Sequence, residues 1–583
     1  MIALHRMTHS AAQRHSARAV APARRAGLSV AAALCLAALL SGTSGGVTLE
    51  ADQARIKTAG ALQRGDWNLW SNGELGDYVH VAHPGTCRIR VLAYGAPAAG
   101  VWPLMGFAVD GVILQTVTVG DPEPRDYKAE FSAAAGDYRI TVIFLNDAKT
   151  ATEDRNLYLT QLSVSSTGTG PNPTLADETR WRTNWGTRKM KLEQETLERA
   201  AKAIEQNRKD TAVVRVVDAA DRPVPGVTVR VEQERQDFLF GANIFMFDRF
   251  GTPQENETYK ARFRDLLNYA TTGFYWRSYE PTQGKPDYAY TDKVAAWCAE
   301  NHIRLKGHPL LWDFEASHPV WAHGQPSVDV QRQRVQDIVR RYAGKIGAWE
   351  VVNEPSHATG LTVDEPYRWA RAADSNALLI INDYYVMADG CPTFFELLRG
   401  AVQRGVPFDG IGIQAHEPQT MRFPLDQVWA TLDRYATLGK ELHITEFTPT
   451  TAGQPITGSP VTGVWDEAAQ ADYAVKFYTV CFAHPAVRAI TWWDLSDANS
   501  WLEGGGLLRK DLSPKPAYVA LQKLIRGQWM TRAGGQTDEH GTWSFRGFRG
   551  DYVVRVQRAG GAPVEQRFHL GRNEPHTFTV TLP

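Results

Sequence analysis

Two glutamates that follow short apolar runs could perform acid–base chemistry. Glu354 comes after the run at residues 347–352, and Pro355 stops the strand that this run predicts. Glu446 lies at the end of a similar run at residues 441–445. A carboxylate at the end of a buried strand is costly unless it has a partner or a function. One such glutamate is usually solvated or ion-paired, but two at the carboxyl ends of parallel strands could be the acid/base and the nucleophile of a glycosidase.

Eight short apolar segments, most of them followed by a helical pattern, must position these glutamates. The segments begin near Leu239, Thr271, Arg304, Ala348, Leu378, Gly410, Leu442 and Ala489. This alternation predicts an α/β fold, a (β/α)8 TIM barrel over residues 238–527. Functional side chains of such barrels gather at the carboxyl ends of the strands, where both glutamates fall.

The rest of the chain predicts β domains on either side of the barrel. A chain of 583 residues is too long for one domain. Residues 46–168 alternate as half-buried strands do, which predicts a β-sandwich module, and residues 169–211 predict a linker and a helix. Residues 212–237 and 528–583 resemble the two halves of a small transthyretin-like sandwich. Because neither half can bury a core alone, we expect them to pair, with the barrel inserted between them.

The charge balance of the chain excludes some classes of partner. Lysine and arginine together number 63, and aspartate and glutamate number 64. This balance argues against nucleic acid or a membrane surface as the main partner. The 18 tryptophans have two interpretations, which are large cores or platforms that stack on the C–H faces of sugar rings.

The first 45 residues have the features of a secretory signal peptide. Arg24 and Arg25 precede an apolar stretch at residues 26–40, and small residues follow at 41–45. The apolar stretch is too short to span a membrane comfortably. The sequence therefore predicts a secreted protein, periplasmic or extracellular, and we expect a monomer.

Four cysteines remain after the predicted signal peptide: Cys87, Cys298, Cys391 and Cys481. They allow three full pairings, among which the sequence does not choose. Because Cys87 falls in a different predicted domain from the others, we expect at least one free thiol. No Cys-x-x-Cys spacing indicates a zinc site.

The barrel segment resembles glycoside hydrolase family 10, the retaining endo-β-1,4-xylanases, along nearly its whole length. The runs that end at Glu354 and Glu446 resemble the acid/base and nucleophile motifs, and residues 307–312, 412–416 and 493–501 resemble the walls of the sugar site. The resemblance implies hydrolysis of plant cell-wall xylan by double displacement, without a cofactor for catalysis. It also implies substrate-binding roles for a set of residues: His308, Trp312, Asn353, Gln414, His416, Trp493 and Trp501.

Chemistry assigns roles to these residue types. Glu446 must be ionised to attack the anomeric carbon, and Glu354 must be protonated to supply the leaving oxygen; two nearby carboxylates push one pKa upwards. Asn353 could hydrogen-bond the sugar 2-hydroxyl. We expect Gln414 and His416 to orient Glu446. Structural roles for the histidines and core packing for the tryptophans are the alternatives.

One segment departs from the family pattern. The family usually has Glu-Asn-x-x-Lys before the tryptophan that matches Trp276, and these groups grip the second sugar on the non-reducing side. Here residues 271–275 are Thr-Thr-Gly-Phe-Tyr, and residues 313–315 are Asp-Phe-Glu in place of the usual His-Ser-Gln. We expect Phe274 and Tyr275 to present an aromatic surface instead. The alternatives to a xylanase are therefore an enzyme for another β-glycan or β-glycoside, and a non-catalytic glycan-binding protein.

The N-terminal module resembles calcium-dependent carbohydrate-binding modules of family 60, which bind xylan and related glycans. The resemblance covers most of the module, and its most specific part is Asp-Arg-Asn-Leu at residues 154–157. It implies that Asp147 and Asp154 bind calcium, which prefers hard oxygen ligands. The alternative is a polar turn without a metal.

Overall fold

The computed structural model describes residues 46–358, 360–388, 391–416, 419–572 and 576–583. The predicted signal peptide at residues 1–45 lies outside the described residues. No helix in these ranges combines the length and the apolar character that crossing a membrane requires.

The N-terminal module is a β-sandwich of two antiparallel sheets. Its strands are β1 (Val47–Glu50), β2 (Ile56–Lys57), β3 (Ala61–Gln63), β4 (Asp66–Leu69), β5 (Gly73–Val81), β6 (Gly85–Ala96), β7 (Leu104–Val109), β8 (Val112–Thr118), β9 (Arg125–Ala133), β10 (Gly136–Phe144), β11 (Asn156–Ser166) and β12 (Thr174–Leu175). One sheet has the order β3-β4-β11-β6-β9 with β1 on β11, and the other has the order β12-β5-β10-β7-β8 with β2 on β5. Alternate side chains of both sheets form one apolar core, as a two-residue period requires.

A long helix, α1 (Glu178–Arg208), follows the module and packs against the barrel. Its N-cap Asp177 accepts hydrogen bonds from the backbone N–H groups of Thr179 and Arg180, which satisfies donors that a helix start leaves unpaired. On the module side, the fully buried Asp137 accepts from Arg180 at 2.7 and 2.8 Å and from Asn184 at 2.5 Å.

The same helix is ion-paired to the barrel further along. Lys189 lies 2.6 Å from Asp426, and Arg422 donates two hydrogen bonds to Glu193 at 2.7 and 3.0 Å. Bidentate pairs of this kind fix orientation as well as distance. The helix is therefore attached to both domains through side chains.

The barrel begins after two further strands, β13 (Lys209–Val217) and β14 (Thr228–Gln236). Its strands are β15 (Leu239–Asn243), β16 (Tyr269–Gly273), β17 (Arg304–His308) with its continuation β18 (Leu311–Trp312), β19 (Ala348–Asn353), β20 (Leu378–Asp383), β21 (Gly410–Ile413), β22 (Glu441–Phe447) and β23 (Val487–Trp492). All pairs are parallel, and β23 pairs with β15 to close the sheet. The predicted (β/α)8 barrel is confirmed.

Helices cover the outside of the barrel, which explains why the strands are buried on both faces. They are α2 (Pro253–Leu266), α3 (Trp276–Tyr279), α4 (Tyr288–Glu300), α5 (Val328–Arg341), α6 (Asp364–Ala373), α7 (Pro392–Gln403), α8 (Leu425–Ala436), α9 (Glu467–Ala483) and α10 (Pro516–Lys523). One continuous apolar core joins them to the strands.

The last five strands complete a small second sandwich. They are β24 (Arg532–Gln536), β25 (Thr542–Phe548), β26 (Gly550–Gln557), β27 (Val564–Leu570) and β28 (Thr577–Thr581). β13 lies between β25 and β28, and β14 lies between β24 and β26. Val214 and Val229 from before the barrel share a core with Val554 and Val580 from after it. The predicted pairing of the two flanking segments is therefore correct.

The sequence left open how the four cysteines pair, and the structure answers this. Cys87, Cys298, Cys391 and Cys481 are all buried free thiols, so none of the cysteines in the described ranges forms a disulfide.

The substitution Asp137→Asn should loosen the contact between the module and α1. The amide keeps the shape of the side chain but loses the charge that Arg180 binds, which costs about 1–3 kcal/mol. We expect faster limited proteolysis of the segment at residues 167–176. The matched control is Asp126→Asn, which removes only an exposed pair with Arg90 and should change the cleavage rate little. Equal cleavage rates for both variants would contradict the rigid attachment.

Candidate active site

Glu354 follows β19, and both of its carboxyl oxygens accept hydrogen bonds. Gln414 Nε2 donates to Oε1 at 2.8 Å, and Trp312 Nε1 donates to Oε2 at 2.8 Å. The backbone at Glu354 has φ 56°, a left-handed conformation that costs a side-chain-bearing residue of order 1–3 kcal/mol. Its N–H donates to the carbonyl of Asn382 at 2.8 Å, which anchors this turn to the neighbouring strand β20.

The environment favours the protonated form of Glu354. Burial raises the pKa of this carboxyl to about 7, and the charges of Glu446 and Asp383 act in the same direction. The hydrogen bonds from Gln414 and Trp312 oppose the shift without cancelling it. A carboxyl with such a pKa can carry a proton near neutral pH and donate it.

Glu446 lies in β22, one residue before the end of the strand, and is 6% exposed. Asn382 Nδ2 donates to its Oε1 at 3.1 Å, and His416 Nε2 lies 3.2 Å from its Oε2. The same Asn382 amide donates to Asn353 Oδ1 at 2.9 Å. A side chain at Gly412 would come within 2.6 Å of Asn382 Oδ1, so the glycine lets this amide reach the site.

The expectation that Gln414 orients Glu446 is wrong. Gln414 donates to Glu354, and of the two residues predicted to orient Glu446, His416 is the one that contacts it. Both residues lie beyond the end of β21, and the left-handed backbone at Ala415 (φ 63°) turns the chain between them. The two side chains therefore reach different glutamates.

His308 belongs to a buried group beneath the glutamates. Its Nδ1 pairs with Glu350, which also pairs with Lys306, and all three residues are at most 2% exposed. Burial alone would raise the pKa of Glu350, but the charges of Lys306 and His308 outweigh burial and lower it to about 2. One ligand atom each of His308, Glu350 and Glu446 lies within 4.8 Å of the others, so His308 borders the nucleophile position.

A third buried carboxyl group, Asp494, lies near Glu446 and was not predicted as a site residue from the sequence. Asn243 Nδ2 and the backbone N–H of Trp501, the latter at 3.0 Å, donate to its two oxygens. Burial raises the pKa of Asp494 to about 6, and the nearby charge of Glu446 adds to the shift. Its only signal in the sequence is an acidic residue at the second position after the last barrel strand.

The two predicted stacking tryptophans differ in exposure. Trp501 is 45% exposed and makes a T-shaped contact with His416, with ring centroids 4.7 Å apart, so much of its surface remains open to solvent. Trp493 is 6% exposed and packs against His308 and Phe245, each at 5.2 Å. Trp493 therefore lies at the floor of the site and exposes little surface on which a sugar could stack.

An aromatic wall stands where the family usually has Glu-Asn-x-x-Lys. The Tyr275 ring contacts Phe245 at 5.8 Å, His308 at 5.6 Å and Trp312 at 6.2 Å. A side chain at Gly273 would come within 3.2 Å of the Tyr275 ring and 3.3 Å of the Phe245 ring, so the glycine makes room for the wall. Burial and the neighbouring carboxylates raise the pKa of Tyr275 well above its usual value, so the phenol stays protonated.

Phe274 does not take part in this wall, which corrects the sequence-based expectation. Its side chain is fully buried and packs against Tyr279, Tyr342 and Trp349. Adjacent residues in an extended segment point in opposite directions, so only Tyr275 can face the site while Phe274 enters the core.

The loop at residues 146–156 of the module carries oxygen donors of the kind that calcium prefers. Burial raises the pKa of Asp147, and the charge of Asp154 adds to the shift. Asn156 Oδ1 is buried and has no hydrogen-bond partner among the described residues, while its Nδ2 donates to the Asp154 carbonyl at 2.9 Å. Lys149 Nζ lies 3.0 Å from Asp154 and is the competing cation. Clustered oxygen donors of this kind fit calcium.

The sequence matches two protein-family models. The model described as glycosyl hydrolase family 10 matches residues 233–524, and the model described as a Ca-dependent carbohydrate-binding module, xylan-binding, matches residues 88–176. The two matches fall on the barrel and on the N-terminal sandwich.

Several curated proteins are similar to the chain. It is 26% identical over 399 residues to endo-1,4-beta-xylanase 1 of Arabidopsis thaliana, a match that covers 64% of this chain and 39% of that protein. It is 26% identical over 308 residues to endo-1,4-beta-xylanase B of Thermotoga neapolitana, covering 48% of this chain and 86% of that protein. It is 30% identical over 277 residues to endo-1,4-beta-xylanase 3 of Hypocrea jecorina, a match that covers 43% of this chain and 73% of that protein. The chain thus spans about two fifths of the length of the Arabidopsis protein.

Among solved structures, native xylanase 10B from Thermotoga maritima aligns with the chain at 25% identity and a TM-score of 0.43. The alignment covers 50% of this chain and 96% of that chain.

Any reaction that needs a proton from Glu354 should slow as the pH rises through about 7. The carboxyl is protonated below its raised pKa and loses the proton above it. The measurement is kcat/KM against pH on a β-glycoside with a poor leaving group. A basic limb near pH 4.3, where an unperturbed glutamate ionises, would contradict the proton-donor role.

Proposed function

Because the chain belongs to glycosyl hydrolase family 10, we propose that it is a retaining endo-β-1,4-glycosidase that hydrolyses xylan by double displacement. The observation that carries this proposal is the pairing of Glu354, whose pKa is raised to about 7, with the nearby Glu446. The chemistry needs one carboxyl with a proton and one without, and a buried, charge-coupled pair provides that difference.

In the first step, the Glu446 carboxylate attacks the anomeric carbon while Glu354 gives its proton to the departing glycosidic oxygen. The bond from the anomeric carbon to that oxygen breaks, and a covalent glycosyl–enzyme ester forms. In the second step, Glu354, now a carboxylate, takes a proton from water as the water oxygen attacks the anomeric carbon. Glu446 leaves as a carboxylate, and Glu354 is protonated again.

The neighbouring side chains support these two roles. Asn382 and His416 hold the oxygens of Glu446, which fixes its direction of attack. Asn353 is placed by Asn382 and is the proposed partner of the sugar 2-hydroxyl. The exposed face of Trp501 is the proposed stacking platform.

The module is proposed to bind the polysaccharide through calcium held by Asp147 and Asp154. When bound, the ion would supply a hard Lewis-acidic centre that sugar hydroxyls can ligate. The mutual repulsion of the two carboxylates and the unpartnered Asn156 oxygen support the assignment. We further propose that the protein is secreted and monomeric, with the polysaccharide as its partner rather than nucleic acid or a membrane.

The aromatic wall favours a second candidate substrate within the same chemistry. Tyr275 and Phe245 occupy the region where family members grip an undecorated second sugar with polar and charged groups. An aromatic wall of this kind favours the binding of a decorated xylan, or of a different β-glycan or β-glycoside. It disfavours the binding of a short linear xylo-oligosaccharide. A non-catalytic glycan-binding protein is the rival from another class, and the presence of both glutamates argues against it.

Removing either glutamate should produce a distinct kinetic pattern. Glu446→Ala should abolish turnover, whereas Glu354→Ala should slow poor leaving groups far more than good ones, because only poor ones need the proton. The matched control is Glu441→Gln, at the start of the same strand as Glu446. Release of reducing sugar from a panel of β-glycans is the measurement. Tight glycan binding by the wild type without any release would support the rival.

The wild-type enzyme should prefer a branched glucuronoarabinoxylan to linear xylotetraose. Losing several hydrogen bonds of order 1 kcal/mol each should cost about a hundredfold in kcat/KM on the linear substrate. Tyr275→Lys returns one charged donor and should narrow the gap, whereas Tyr275→Phe keeps the wall and should not. A wild-type kcat/KM on xylotetraose of about 10⁵ M⁻¹s⁻¹ or above would show that neighbouring loops replace the lost contacts.

Binding of the protein to insoluble xylan should require calcium. A chelator, or the substitution Asp154→Asn, should abolish retention on xylan while leaving the hydrolysis of a small soluble β-glycoside unchanged, because that reaction uses only the barrel. A pull-down with and without added Ca²⁺ measures this effect. Undiminished retention in excess chelator would refute the calcium assignment.

A further inference from the structure

Three side chains of types that can bind a metal ion lie close together at the carboxyl ends of the barrel strands. None of them is one of the two catalytic glutamates. His357 lies in the turn that follows Glu354, Asp383 ends β20, and Cys391 directly precedes α7. One ligand atom of each residue lies within 4.8 Å of the other two. The cluster therefore offers nitrogen, oxygen and sulfur donors at one point.

Two of these donors are already oriented by their neighbours. The fully buried Asp383 accepts from the backbone N–H groups of Ser356 and Tyr384, each at 2.9 Å. The His357 ring stacks on the Tyr384 ring at 3.8 Å, with planes 14° apart, and its Nδ1 lies 2.8 Å from Asp383 Oδ1. Support of this kind around metal ligands fixes their direction and strengthens binding.

The donor types select the ion. A thiolate and an imidazole favour zinc over calcium or magnesium, which prefer oxygen ligands. Bonds of roughly 2.0–2.3 Å in a tetrahedral site place ligand atoms roughly 3.3–3.7 Å apart. Since the atoms here lie within 4.8 Å of one another, movements of about 1 Å bring them to bonding distance.

Among the described residues, His357 is the member of the cluster that reaches solvent. The side chain of His357 is 31% exposed, whereas Asp383 and Cys391 are buried behind it. An ion can therefore arrive from solvent at the imidazole and reach the carboxylate and the thiol next. A water molecule from the same side would complete four-fold coordination.

We propose that His357, Asp383 and Cys391 form a zinc-binding site beside the catalytic glutamates, with water as the fourth ligand. This site differs from the proposed calcium site of the module in donor type and in domain, and the proposed hydrolysis does not use it. In the metal-free state, the hydrogen bond between His357 and Asp383 takes the place of the ion.

Zinc in this position should slow the enzyme. The backbone N–H of His357 donates to the carbonyl of Glu354 at 3.1 Å, which closes the turn between them. The approach of His357 to a metal therefore also shifts the backbone that places the Glu354 carboxyl. Misplacement of a catalytic group by about 1 Å can cost on the order of a hundredfold in rate.

Cobalt titration of the full-length protein, in the presence of Ca²⁺ to fill the module, tests the site directly. Cobalt bound by a thiolate gives a near-ultraviolet charge-transfer band, which oxygen donors do not give. We expect a band that saturates at one cobalt per chain, disappears in Cys391→Ser and survives in Cys298→Ala, whose thiol is buried elsewhere in the barrel core. The absence of a band, or a band that persists in Cys391→Ser, would overturn the proposal.

Calorimetric titration with Zn²⁺ provides a second readout that is independent of hydrolysis. His357→Gln and Cys391→Ser should each weaken zinc binding at least tenfold, whereas Asp147→Asn in the module should not. The same two variants should remove the inhibition of wild-type turnover by Zn²⁺. Equal zinc affinity in wild type and both variants would place the ion elsewhere and contradict the assignment.

Discussion

The constraint on which the site depends is the cost of holding the carboxyl groups of Glu354 and Glu446 close together in a partly buried site. Water would screen their repulsion, but burial removes that screening and favours a proton on Glu354. The two carboxyl groups also differ in the side chains that donate hydrogen bonds to them. Trp312 and Gln414 reach Glu354, while Asn382 and His416 reach Glu446. The different roles proposed for two chemically identical side chains rest on this asymmetry.

The barrel provides the rigidity that such a site needs. Glu354 and Glu446 lie at the carboxyl ends of β19 and β22, and Asn382 in β20 links them through its backbone carbonyl and its amide. Beneath them, the buried Glu350 pairs with both Lys306 and His308, which fixes these side chains below the reacting atoms. Errors in the position of catalytic groups are costly, and a closed sheet packed on both faces limits them.

Much of this arrangement could be predicted from local sequence. The two-residue and helical periodicities give the sandwiches and the barrel, and Glu354 and Glu446 follow from the strands that they end. The contacts of Gln414 could not be predicted, because they depend on the left-handed turn at Ala415. The direction of Phe274 depends on which face of a short segment enters the core. Asp494 was missed because its significance comes from its distance to Glu446, which no sequence spacing encodes.

The central claim is that Glu446 forms a covalent bond to the sugar and that Glu354 serves first as acid and then as base. Two displacements at one carbon return the starting configuration, whereas a single displacement inverts it. The most direct measurement is proton NMR of the first product formed from a β-linked oligosaccharide, recorded before the anomers equilibrate. We expect the β-anomer to form first. Initial release of the α-anomer would contradict the central claim.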